Sequence, residues 1–87
     1  MAYSLGVEKG LEKQLGKLSR SDKALYIQLL HKIQTLCENP GIGKPLRGKY
    51  KNVRRVHIGS FVLKYKIEDV TRTLTLLTFE HHDDAYK

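Results

Sequence analysis

A chain of 87 residues with sixteen Lys and Arg against nine Asp and Glu, net +7, is one small basic domain spanning 1–87. Its thin core leaves no room for a deep cofactor-binding fold. The single cysteine, Cys37, excludes an internal disulfide framework and a cysteine-based zinc cluster. No apolar run approaches the ~18 residues of a membrane span. Met1-Ala2-Tyr3-Ser4-Leu5 lacks the length and charge of a secretory leader. These features set the expectation of a cytoplasmic protein with no membrane partner.

Along the chain, Tyr3-Ser4-Leu5-Gly6-Val7 alternates as a short strand would, with Tyr3, Leu5 and Val7 on one face. From Glu8 the period changes. Val7, Leu11, Leu15 and Leu18 recur at helical spacing. Gly10 and Gly16 weaken this first helix by roughly 1 kcal/mol each relative to alanine, so it depends on packing. Ser19 is the expected cap of a second helix, with Asp22 at the capping-box position. Tyr26, Leu29, Leu30, Ile33, Leu36 and Cys37 form its apolar stripe, and Cys37 reads as a small buried residue rather than a nucleophile. Asn39-Pro40-Gly41 ends it, and the short link between the helices implies an antiparallel hairpin.

The second half reads as strands. Val53–Ile58 alternates, Gly59-Ser60 is a two-residue hairpin turn, Phe61–Glu68 alternates again, and Thr73–Phe79 is a third β-rich run. Val56, Ile58, Phe61, Leu63, Tyr65 and Ile67 then form one apolar face for the helices to cover. Arg55, His57, Lys64 and Lys66 share the opposite face with Val53 and Val62. The order β-αα-βββ predicts an α+β domain, an antiparallel twisted sheet with a helical hairpin on one face.

Charge is concentrated in this half. Residues 39–67 hold eight of the sixteen cations and no acid, with Tyr50, Phe61 and Tyr65 interleaved. Such a block is an electrostatic footprint for a polyanion. Lys44, Lys49 and Lys51 suit contacts to a nucleic-acid backbone, which add affinity without sequence choice. Arg54 points with Val56, which suits a structural ion pair or a partner-facing one. His81-His82-Asp83-Asp84 invites a metal reading, but adjacent side chains rarely point at one ion and no helical His-x-x-x-His spacing is present, so no metal is expected.

Four segments together carry a resemblance: Lys44-Pro45-Leu46-Arg47-Gly48, Arg54-Arg55-Val56-His57-Ile58-Gly59, Phe61-Val62-Leu63-Lys64-Tyr65, and His81-His82-Asp83-Asp84-Ala85-Tyr86. In this order and spacing the chain resembles the RelE/ParE superfamily of toxins from type II toxin–antitoxin modules. The resemblance implies a ribosome-dependent mRNA endonuclease that needs no metal or other cofactor, held inactive by a RelB-like antitoxin, with the ribosome and mRNA as its other partners. It implies Arg55, His57, His82 and Tyr86 as the catalytic set. Lys44, Arg47, Lys49, Lys51, Lys64 and Lys66 would bind RNA phosphate. Two positions depart from the family pattern: Val62 and His82 stand where relatives commonly carry arginine. Lys64 lies about 7 Å further along the same face than Val62, and lysine lacks the bidentate fork of arginine. Two alternatives stay open, a ParE-like inhibitor of DNA gyrase and a catalytically inactive binding module on the same fold.

Overall fold

The computed structural model describes residues 2–46 and 51–85. Its elements are β1 (Ser4–Val7), α1 (Lys9–Ser21), α2 (Lys23–Glu38), a 3₁₀ turn (Pro40–Ile42), β2 (Lys44–Pro45), β3 (Val53–Ile58), β4 (Phe61–Glu68), β5 (Thr73–His81) and α3 (His82–Ala85). The sheet has five strands in the order β1-β5-β4-β3-β2. The helical hairpin covers one face of it, as the patterning requires.

The two helices are joined more tightly than expected. α1 continues through Ser19 to Ser21, and Asp22 is both the end of α1 and the cap of α2, accepting from the Leu25 N–H at 3.1 Å. The Ser19 hydroxyl instead donates back to Gly16 O at 2.7 Å. An aspartate and a serine cap equally well, so the choice fell to the geometry of the link.

The core is formed by Leu11 of α1, by Leu29, Ile33 and Leu36 of α2, and by Val56, Ile58, Leu63, Tyr65, Leu74, Leu76 and Phe79 of the strands. Leu30 was expected in this stripe but is 44% exposed, because the contact line of α2 runs through Leu29, Ile33 and Leu36, with Leu25 and Cys37 at its margins. Cys37 is half-buried at the edge of the core.

Strands β3, β4 and β5 form an antiparallel meander. Gly59 at the β3–β4 turn has φ +61°, the left-handed conformation that a two-residue hairpin demands and that glycine adopts without penalty. β1 pairs parallel with β5, Ser4 against Thr73 through Val7 against Leu76, which makes the sheet mixed. β1 therefore runs in the same direction as β3 and β5 and opposite to β2 and β4. At the other edge, the two-residue β2 pairs with β3.

Tyr65 fixes this edge. It is fully buried, its hydroxyl donates to Pro40 O at 2.7 Å, and it accepts from the Gly43 N–H at 2.9 Å. Arg54 Nη1 donates to Gly43 O at 2.6 Å, so its role here is to hold the turn after α2 against β3.

Candidate functional site

Strand register builds the site. On the sheet face away from the helices, Lys44 of β2 stands opposite Arg55 of β3, and Arg55 stands opposite Lys64 of β4. Directly paired residues point to the same face, so three cations share one rung. Thr78 of β5 completes it opposite Lys64, with its hydroxyl oxygen buried. Like charges directly opposite one another destabilise a sheet. A segment that keeps three of them on one rung is suited to an anion.

One step along β3, His57 lies opposite Val62 and is exposed. The imidazole of His82, the first residue of α3, comes to 6.0 Å from that of His57, ring centre to ring centre. Thus the structure brings together Lys44, Arg55, His57, Lys64 and His82. Lys66 lies on the same face at the far end of β4, 3.6 Å from Glu68, with both side chains close to half exposed. Lys51 is exposed just before β3. Arg47, Lys49 and Tyr86, also expected at the site, lie outside the described residues.

The two C-terminal histidines are directed apart. His81 packs edge-on to Phe61, with ring centres 5.5 Å apart, while His82 faces His57. Asp83 joins them, its carboxylate oxygens 3.6 Å from Nδ1 of each. His81 Nδ1 also accepts the Asp83 backbone N–H at 3.2 Å. No group of three or more His, Cys, Asp or Glu side chains able to hold a metal occurs among the described residues. Among the described residues no helix is long and apolar enough to cross a membrane.

Sequence reasoning missed Asp83 as a neighbour of His82, and it missed the bond from Lys64 Nζ to Ala85 O at 3.0 Å. The acidic pair after His81-His82 was visible, but its orientation depends on a helical turn too short to leave a periodic signal.

A cavity of about 480 Å³ opens elsewhere, lined by residues that include Tyr3, Lys51, Asn52, Arg54, Ile67 and Asp69. It lies toward the start of β3, away from the His57–His82 pair.

A family model described as the ParE toxin of the type II toxin–antitoxin system parDE matches residues 3–86. A protein of Methanocaldococcus jannaschii, provisionally named toxin RelE4, is 36% identical over 86 residues, covering 98% of this chain and 92% of that protein. Among solved structures, the archaeal RelE–RelB complex from Pyrococcus horikoshii matches with a TM-score of 0.78 at 20% identity, covering 97% of this chain and 99% of that one. The toxin–antitoxin complex RelBE2 from Mycobacterium tuberculosis matches with a TM-score of 0.78 at 23% identity, covering 93% and 99%. At these identities the two structures speak for the fold.

Proposed function

The chain belongs to the RelE/ParE superfamily of toxins from type II toxin–antitoxin modules, and we propose that it is a RelE-like endonuclease that cuts mRNA on the ribosome and is restrained by a RelB-like antitoxin. The observation that carries this reading is the rung Lys44–Arg55–Lys64 beside two imidazoles 6.0 Å apart. Cleavage of RNA by its own 2′-hydroxyl needs three things: removal of the 2′ proton, stabilisation of the pentacoordinate phosphate, and protonation of the leaving 5′ oxygen. Arg55, with Lys44 beside it, supplies fixed positive charge where the transition state gathers negative charge. His57 and His82 are the pair for proton transfer, one taking the 2′ proton and the other giving one to the 5′ oxygen. Tyr86 stacks on a base or assists that transfer. Arg47, Lys49, Lys51 and Lys66 bind the RNA backbone. An antitoxin segment rich in acids fits the +7 charge of the chain, and binding a folded toxin stabilises it by mass action. The ribosome as target places the work in the cytoplasm.

Primer extension on mRNA in a purified translation system tests the proposal. Cuts at ribosome-occupied codons, absent without ribosomes and lost in Arg55→Ala, are the expected result. Intact mRNA with folded, ribosome-bound protein overturns it.

The matching family model is described for ParE toxins, and Val62 stands where the nuclease relatives commonly carry arginine. These features favour a second reading, inhibition of DNA gyrase. It predicts DNA damage and a damage response on expression, rather than arrest of translation.

A further inference from the structure

The one-turn helix α3 is held at both ends by the β3–β4 hairpin. At its start, His82 N–H donates to Ser60 O in the hairpin turn at 2.8 Å. At its end, Lys64 Nζ donates to Ala85 O at 3.0 Å. A helix terminus leaves its last carbonyls without partners, and a cation there also meets the negative end of the peptide dipoles. α3 rests on β4 and β5. Val62 is fully buried and Ala85 is 8% exposed, yet neither belongs to the helix-side core. Val62 lies on the site face of β4, opposite His57. Between His57 and Glu80, its cross-strand neighbours, valine offers an apolar seat where a guanidinium would be drawn into an ion pair with Glu80.

We infer that Lys64 is a positioning residue. Its ammonium holds the C-terminal end of α3 on the site face, over the seat that Val62 provides, and this hold sets the approach of His82 to His57. Lys64 stands directly opposite Arg55, so repulsion along the rung and the acceptor on Ala85 draw its ammonium in the same direction. The inference rests on the proposed role of His82 and assigns Lys64 to that histidine's support rather than to RNA phosphate.

The test compares Lys64→Met, which keeps the unbranched stem without charge or donor, with Lys64→Arg, which keeps both. NMR reads the nuclear Overhauser contact between the His57 and His82 rings and the shift of the Ala85 methyl. Methyl signals of Leu63 and Leu74 report whether the core is intact. Lys64→Met is expected to lose the ring contact and move the Ala85 methyl toward its unfolded position, with the core signals unchanged. Lys64→Arg is expected to retain the contact. In ribosome-dependent cleavage, Lys64→Met lowers kcat by about 10²-fold with KM nearly unchanged. A ring contact that survives in Lys64→Met, or a rise in KM with kcat intact, overturns the inference. Absence of cleavage by the unaltered protein overturns the nuclease reading instead, and the NMR comparison still decides the role of Lys64.

Discussion

The two faces of the β3–β4–β5 meander are made by alternate residues of the same strands, yet they follow opposite rules. On the helix side, Leu63, Tyr65, Leu74 and Leu76 are fully buried, and among the described residues no charged residue is buried as a whole, although Arg55 Nε on the other face is. The phenol that does enter this core satisfies both its donor and its acceptor. On the other side, Lys44, Arg55 and Lys64 stand on one rung, an arrangement that costs the sheet stability. One turn of helix and two imidazoles flank it. A small domain can maintain such a face because its stability resides on the other side of the strands, and bound phosphate would remove the repulsion.

The sharpest way to break this contrast is Arg55→Ala. If the two faces are separable, the variant loses about 10²–10³-fold in cleavage, measured by primer extension, while its melting temperature stays within about 4 °C of the parent. Loss of both together would mean that the site face also carries the fold.

Gly43→Ala probes where the faces meet. A Cβ at Gly43 would lie 2.5 Å from the Tyr65 hydroxyl and 2.7 Å from Arg55 O. The backbone there has φ −70°, so the conflict is steric rather than conformational. Tyr65 belongs to the core and the Arg55 backbone carries the site, so one added methyl should disturb both. The expected cost is about 1–3 kcal/mol, or roughly 4–24 °C in melting temperature for a domain of this size, with reduced cleavage even in the folded fraction. A variant that melts early but cuts normally would show that the β2–β3 edge yields without moving Arg55.

Tyr65→Phe acts from the core side, on the bonds that anchor the segment before β2. It removes the hydrogen bonds to Pro40 O and from Gly43 N and leaves both backbone groups unsatisfied, a loss of about 1–3 kcal/mol. Thermal unfolding measures it. Cleavage per folded molecule should fall less than in Gly43→Ala, because the phenol lies on the face away from the cation rung and nothing is pushed against Arg55 O.

Much of this division is legible in the sequence. The period-two alternation of 53–58 and 61–67 separates the covered residues from Arg55, His57 and Lys64 before any coordinates are known, and the helical stripe of 26–37 identifies what covers them. Other features were not legible, for identifiable reasons. Two residues, Lys44-Pro45, cannot display a period, so β2 appears only through its pairing with β3. Four residues cannot define an amphipathic helix, and the bonds of α3 to Ser60 and Lys64 come from residues some twenty positions earlier in the chain. The parallel pairing of β1 is set by the path of the chain between it and β5, not by Tyr3–Val7. For the site, the sequence gathers His57 and His82 only through the resemblance. Their approach to 6.0 Å and the place of Asp83 beside His82 depend on tertiary docking. The expectations for Arg47, Lys49 and Tyr86 fall outside the described residues.

The smallest effect expected is in alkaline solution, and it tests the same asymmetry by titration. Burial pushes the Tyr65 phenol above its ordinary 10.0, against the lowering influence of the Gly43 N–H and Arg54. Burial, with Glu38 beside it, pushes the Cys37 thiol above its ordinary 9.0. Tyr3 is raised too, chiefly by donating its hydroxyl to Asp69 at 2.7 Å. Each of these groups holds its proton more tightly folded than unfolded. Their contribution to stability is therefore fully present below the unfolded values and is lost as pH rises through them. Urea unfolding should thus show stability falling from about pH 9 upward, where the thiol of the unfolded chain begins to ionise, and more steeply above 10. In Tyr65→Phe the fall above pH 10 should be shallower, because one of the phenols is gone. An equal slope in both proteins would mean that Tyr65 is not sealed from solvent, and with it the helix-side face would lose the dry character that sets it apart from the cation rung.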